Sequence, residues 1–229
     1  MNRDTDKGAA VYSPLVLGIY DLWVLGISNR YAWRCSTTAV LLPFFRQHIG
    51  QRHLDVGVGT GFYPARTMPS ASTRVVLLDL NPGSLHAAQR RLKRKSTQVV
   101  RHDVMTPLPS RVGRNLDSIS LFYLLHCLSG TMADKGQVFG HLKWHLAPDG
   151  VLYGATILGD EAAHNAFGRR LMAIYNRKGI FGNRSDTRDA LELALRQHFA
   201  QVHVRVEGTV ALFEARQPLL WAGRSPVLD

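Results

Sequence analysis

The segment Leu54-Asp55-Val56-Gly57-Val58-Gly59-Thr60-Gly61-Phe62 decides how the rest of the chain is read. It grows out of a short apolar run, Arg52–Val58, of the kind that forms a buried strand, and its glycines recur at alternate positions. Glycine lets the backbone turn tightly and lets a ligand approach with no Cβ in the way. A short helix is predicted next, near Phe62–Met68. Strand, glycine turn and helix in that order make a ligand-holding corner, with one acid, Asp55, at its entrance.

Working outward, Thr73–Leu80 is rich in β-branched and aliphatic residues and predicts a second strand. Asn81-Pro82 is a helix start, with Asn as N-cap and Pro at the first helical position. That helix is expected to run to about Lys95. Gln98–Val104 and Asp117–Leu124 predict the third and fourth strands, and Met132–Leu146 the helix after them. Pro148-Asp149-Gly150 turns into a fifth strand, Val151–Ile157. Helices are predicted over Ala162–Arg177 and Thr187–His198. Val202–Val206 and Val210–Ala215 flank Gly208 as a hairpin. Upstream, Pro14–Ile27 and Tyr31–Ile49 predict two helices separated by Ser28-Asn29-Arg30.

Strands alternating with helices call for an α/β fold: a seven-stranded, mostly parallel, Rossmann-like sheet with an antiparallel C-terminal hairpin and helices on both faces. Ligands bind at the strand ends of such sheets. The expected organisation is one domain over 1–229. Residues 1–50 form an N-terminal helical lid, 51–158 the binding core, 159–200 the substrate-side helices and 201–229 the hairpin and tail.

The chain has 229 residues, 45% hydrophobic and 20% charged, enough for a sizeable core. Two cysteines, Cys35 and Cys127, suggest neither a disulfide framework nor a zinc cluster, and no metal is expected. The N-terminus lacks a signal-peptide layout, and the apolar Pro14–Ile27 stretch is too short for a membrane span and carries Asp21. A cytoplasmic protein without a transmembrane segment is expected, as a monomer or homodimer. The net charge of +11 favours nucleic acid, anionic lipid or acidic substrates. The basic residues are spread along the chain, however, and the one dense run, Arg90–Lys95, equally suits the solvated end of a helix.

The glycine spacing departs from the dinucleotide pattern G-x-G-x-x-G: Gly61 comes one place early and Phe62 stands where the third glycine belongs. A carboxylate at Asp55 would also repel a pyrophosphate. It suits a ligand carrying a cationic ammonium and sulfonium. At these residues the sequence resembles the class I S-adenosylmethionine-dependent methyltransferases, whose first motif Asp55–Gly61 matches at every fixed position. The resemblance covers roughly Arg52–Ile157, and the hairpin is similar to the family's reversed last strand. Tyr12-Ser13-Pro14 through Trp33-Arg34-Cys35 is similar to small bacterial and fungal members of specialised metabolism, although many of those have proline where this chain has Ser36.

The resemblance implies S-adenosylmethionine as cofactor, left as S-adenosylhomocysteine. It implies a binding set of Asp55, Gly57, Gly59, Gly61, Asp79, Leu80, Asp103, Val104, Phe122 and Tyr123. Asp79 would accept both ribose hydroxyls, and Asp103 the adenine amino group, with the next backbone N–H on a ring nitrogen. The segment from Leu121 to Leu128 would pack beside the methionine part. Within it His126 either takes a proton from the acceptor or only shapes the pocket. Tyr20 is the second catalytic candidate. Tyr12, Trp33, His164, Asn165, Tyr175 and Phe181 are candidates for the acceptor wall, the alternative for each being plain packing. The expected activity is in-line methyl transfer to a small molecule. An RNA-modifying methyltransferase, a non-catalytic cofactor-binding protein and a nicotinamide oxidoreductase are the competing functions. The segment lacks the Asn/Asp-Pro-Pro-aromatic signature of many nucleic-acid amino-methylating enzymes.

Overall fold

A computed structural model describes residues 21–68, 70, 72–93 and 97–219, with backbone alone for 21–24. Seven strands among these residues form one sheet: β1 (Arg52–Val56), β2 (Arg74–Asp79), β3 (Thr97–Arg101), β4 (Leu116–Phe122), β5 (Leu146–Ile157), β6 (Phe199–Glu207) and β7 (Val210–Pro218). Their order across the sheet is β3-β2-β1-β4-β5-β7-β6. β1 pairs in parallel with both β2 and β4, and β7 runs antiparallel to β5 and β6. The chain therefore leaves β1 for one side of the sheet and returns beside it as β4. That reversal opens a crevice at the carboxyl ends of β1 and β4, where open α/β sheets bind ligands.

The helices are α1 (Asp21–Ala32), α2 (Leu42–His48), α3 (Phe62–Thr67), α4 (Pro82–Leu92), α5 (Met132–Lys135), α6 (Gln137–Leu142), α7 (Ala166–Arg177) and α8 (Arg188–Arg196). Period-two alternation divides the strand side chains between two cores. Leu54, Val56, Ile119 and Leu121 join Phe139, Leu191 and Leu195 on one face. Phe122 and Tyr153 join Phe45, Leu171 and Met172 on the other, while Val75 and Leu77 meet Leu85 and Ala88 of α4.

Three expected elements are redrawn. No break falls at Ser28-Asn29-Arg30, because α1 winds, with wide π-type turns, through all three. Ser28 and Asn29 are buried, their carbonyls accept from Trp33 N and Cys35 N, and the Asn29 amide donates to Thr37 Oγ1 at 2.8 Å. The break lies at Trp33–Ser36, where Arg34 takes a φ of 55° and the Ser36 hydroxyl caps the next turn. The expected helix over Met132–Leu146 is three pieces, α5, α6 and a tight turn at Lys143–His145. The helix after Asn81 ends at Leu92, not Lys95, with Lys93 in the left-handed region.

The segment after α1 meets the C-terminal hairpin. Thr209 N, at the turn between β6 and β7, donates to Trp33 O at 2.9 Å. A Cβ on Gly208 would lie 2.2 Å from that same carbonyl oxygen, so the hairpin tip sits flush against the Trp33–Arg34 backbone. No helix among the described residues is long and apolar enough to cross a membrane.

Candidate active site

One cleft opens at the crevice between β1 and β4. Asp55 lies in β1, Asp79 ends β2, and Asp103 follows β3, so parallel pairing carries three acids to neighbouring strand tips. All three line the cleft, together with Gly57, Gly59, Leu80, Val104, Phe122 and Tyr123.

Asp55 is almost wholly buried and accepts a hydrogen bond from Ser120 Oγ at 2.5 Å. Burial, and to a lesser extent the nearby charge of Asp79, push its carboxyl up to about 7, against the pull of the Ser120 hydroxyl. Asp79 accepts from Asn81 N at 2.8 Å. Burial pushes Asp79 up to about 6, opposed by backbone N–H groups of Asn81, Gly59, Val58 and Leu80. Those amides turn the glycine corner toward the acid. Asp103 accepts from Met105 N at 3.0 Å and thereby fixes the turn out of β3.

The glycines divide the work of the corner. At Gly59 (φ +52°) an added Cβ would find nothing within 4 Å, so it would point into open cleft. At Gly61 (φ +70°) it would come within 2.8 Å of the Ala88 Cα. Gly61 does not line the cleft; it lets α4 pack against the base of the turn. Asn81 caps α4, accepting from Gly83 N at 2.7 Å, and this leaves the neighbouring Asp79 carboxylate directed at the loop.

Apolar side chains close the far half of the cleft. Leu25 comes from α1, Phe62 and Tyr63 from α3, Leu124, Cys127 and Leu128 from the segment after β4, and Ile180 from the loop after α7. Leu124, Cys127 and Leu128 belong to the segment expected beside the methionine part, whereas Leu25 and Ile180 are not among the residues singled out in the sequence. Their only sequence signal is that they are apolar residues next to elements placed at the strand ends.

Several anticipated residues do not line the cleft. His126 is 3% exposed; its Nδ1 accepts from Ile157 N at 3.3 Å, and burial lowers its pKa to about 3. It is a neutral packing group against Phe181, with ring centroids 4.5 Å apart. Trp33 is 1% exposed and stacks edge-on with His164. His164 Nε2 bonds to Gly159 O at 2.9 Å. Asn165 caps α7, accepting from Gly168 N, and its amide donates to Tyr31 O. Tyr175 packs on Phe181. Phe181, packed on Trp33, His126 and Tyr175, does not line the cleft either, so all six of these candidates are packing or capping groups outside it. Tyr12 and Tyr20 lie outside the described residues.

A family model described as a methyltransferase domain matches residues 54–152. The physcion biosynthesis cluster O-methyltransferase of Aspergillus chevalieri is 44% identical over 216 residues, covering 94% of this chain and 97% of that protein. This chain belongs to the class I S-adenosylmethionine-dependent methyltransferases. Methyltransferase verB of Penicillium polonicum is 42% identical to it, over 92% of this methyltransferase and 98% of that protein. The N-methyltransferase NodS from Bradyrhizobium japonicum WM9, solved with S-adenosyl-L-homocysteine, shares its fold at a TM-score of 0.55 and 16% identity, covering 78% of this chain and 84% of that one.

The cleft suits that cofactor. Three acids, a side-chain-free corner at Gly59 and an apolar far half match a cationic amino acid, a ribose diol, an adenine amino group and a methyl-bearing sulfonium. When bound, S-adenosylmethionine supplies an electrophilic methyl group. The enzyme must align the acceptor with it and exclude water, and such alignment alone can lower a barrier by about 7–11 kcal/mol.

Proposed function

We propose that this methyltransferase transfers a methyl group to a hydroxyl oxygen of an apolar, aromatic specialised metabolite. The convergence of Asp55, Asp79 and Asp103 on the open corner at Gly59 is the observation that carries the cofactor half of the reading. Asp55 faces the cationic amino-acid end, Asp79 takes the ribose diol, and Asp103 with the Val104 N–H takes the adenine edge. A carboxylate can accept two hydrogen bonds from a vicinal diol. Leu80, Phe122 and Tyr123 pack along the nucleoside and methionine parts.

The acceptor half rests on Leu25, Phe62, Leu124, Leu128 and Ile180, which offer a flat apolar substrate shape-matched burial but few polar partners. Relatives of nearly the same length named as O-methyltransferases support oxygen as the acceptor atom. The catalytic unit comprises residues 1–229, with 1–50 as lid, 51–158 as cofactor core, 159–200 as acceptor-side helices and 201–229 as hairpin and tail. It works in the cytoplasm, where Cys35 and Cys127, both free thiols, stay reduced.

Isothermal calorimetry with S-adenosylhomocysteine, and with a nicotinamide dinucleotide as control, tests the cofactor half. Binding of the first and not the second is expected. Incubation with S-adenosylmethionine and matched panels of phenols, carboxylic acids, amines and a structured RNA tests the acceptor half. Methylation confined to the phenols is expected; turnover of RNA or amines alone would replace the reading.

A further inference from the structure

A line of buried hydrogen bonds runs behind the cleft, one layer below Asp55. β1 and β4 lie side by side in parallel register, with His53 opposite Ser118 and Asp55 opposite Ser120. Alternation along each strand places all four on one face of the sheet, where the His53 ring meets Phe45 and Tyr153. Gly50 N donates to Ser118 Oγ at 2.8 Å. Ser118 Oγ lies 2.8 Å from His53 Nδ1, and His53 Nε2 lies 3.1 Å from Ser120 Oγ. Ser120 Oγ donates to Asp55 Oδ1 at 2.5 Å. His53, Ser118 and Ser120 have no solvent exposure, and none of them lines the cleft.

Counting protons gives this line a single direction. An ionised carboxylate only accepts, so the one Ser120 proton goes to Asp55 and Ser120 must accept from His53 Nε2–H. A neutral imidazole protonated on Nε2 leaves Nδ1 as an acceptor, so Ser118 donates to it and accepts from Gly50 N. Burial keeps the imidazole neutral, with its pKa pushed down to about 3, as this arrangement requires.

We propose that His53 and Ser120 are positioning residues for cofactor capture: the neutral Nε2–H imidazole fixes the Ser120 hydroxyl, and Ser120 holds the Asp55 carboxylate as a pure acceptor at the tip of β1. The inference rests on the reading of Asp55 as the acid that faces the cofactor's ammonium. Three titratable groups face Asp55: Asp79 on β2, Tyr153 on β5 and His53 on its own strand. Asp79 and burial favour a protonated Asp55, and the Ser120 hydroxyl is the group opposing them. Without that hydroxyl, burial and Asp79 would hold the carboxyl higher still and leave less of Asp55 ionised to accept from the ammonium.

The test is S-adenosylhomocysteine affinity of the full chain, by calorimetry, between pH 5.5 and 9. Ser120→Ala is expected to weaken binding about tenfold at pH 7 and to move the acidic limb of the profile up by about one pH unit, with affinity recovering toward pH 9. His53→Leu should act in the same direction. His53→Gln, which keeps a donor within reach of Ser120, should restore most of the affinity. If His53 acts through Ser120, the double variant His53→Leu/Ser120→Ala binds no worse than Ser120→Ala alone.

An unshifted profile in Ser120→Ala, additive losses in the double variant, or equal losses in the Gln and Leu variants would overturn the proposal. Should His53→Leu fail to fold, the Ser120→Ala profile and the His53→Gln affinity decide alone. Asp55→Asn separates the two levels. Wild-type affinity in that variant removes the role of Asp55 itself. Lost affinity there, beside an unshifted Ser120→Ala profile, removes only the role of the buried line.

Discussion

Asp55 and Asp79 work against the stability of the chain that carries them. Both carboxyls titrate above the ordinary range, at about 7 and about 6, because burial penalises the charged form. Between about pH 4 and 7 the folded chain therefore holds protons that the unfolded chain has released, and these groups contribute less stability as pH rises. Cofactor binding has the opposite sign, since the ligand needs the ionised form. Affinity for S-adenosylhomocysteine should fall as pH drops from 8 to 5.5. Asp55→Asn should bind more weakly at pH 8, yet melt higher without ligand, by an amount on the order of 1–2 kcal/mol. Calorimetry beside thermal denaturation reads both; a variant that is both weaker in binding and less stable would contradict the assignment. Gly59→Val sends a branched side chain into open cleft, so binding should be lost; the left-handed φ of +52° costs about 1–2 kcal/mol of backbone strain, and the far-ultraviolet dichroism stays native below the lowered melting point. His126 stays neutral above pH 5 and bonds to Ile157 N, so His126→Asn, which preserves an acceptor there, should leave the pH dependence of kcat unmoved.

At the scale of elements, the two neighbouring glycines should behave differently. Gly61→Val drives a Cβ into the Ala88 backbone and forces a left-handed φ on a β-branched residue. It should cost stability first, by about 2–4 kcal/mol, with binding lost as a consequence of α4 moving. The segment after α7 is pinned by a second device. Lys135 and Asp186 form an ion pair at 2.6 Å with both side chains at 0% exposure, and Lys135 also donates to Gly182 O at 2.8 Å. Removing one member leaves the other charge buried, so Lys135→Met should destabilise by about 3–5 kcal/mol in urea titration. Lys135→Met/Asp186→Leu should recover most of that loss.

This pair also shows why part of the molecule was hard to read from sequence. A lysine in Met132–Leu146 suggests a solvent-facing helix, but here it is drawn inward, and the helix divides at Gly136, close under the Ala194 Cβ of α8. Ser28-Asn29 reads as a loop by propensity, yet both residues lie buried within a helix, where their carbonyls accept from Trp33 N and Cys35 N and the Asn29 amide donates to Thr37 Oγ1. For Lys135 a partner distant in sequence, Asp186, overrides the local preference, and for Asn29 a partner in the next turn, Thr37, does so.

For the molecule as a whole, the succession of strands and the acids at their tips were legible because they depend on local signals: apolar runs of strand length, a glycine corner and acids at strand ends. The apolar half of the cleft was legible only in part, because Leu25 and Ile180 come from segments that meet the strand ends only after folding. The buried line behind Asp55 left a trace, His53-x-Asp55 and Ser118-x-Ser120, polar pairs at period two inside otherwise apolar strands. Its meaning needed the register that sets them opposite one another. The contact of the hairpin tip with Trp33 and Arg34 likewise joins residues far apart in the chain, Thr209 N with Trp33 O. It fixes a schedule for the ribosome. The strands that line the cleft can assemble while translation proceeds, but the Trp33–Arg34 backbone gains this contact only once residue 209 has emerged, so the N-terminal helices dock late, together with the closing hairpin.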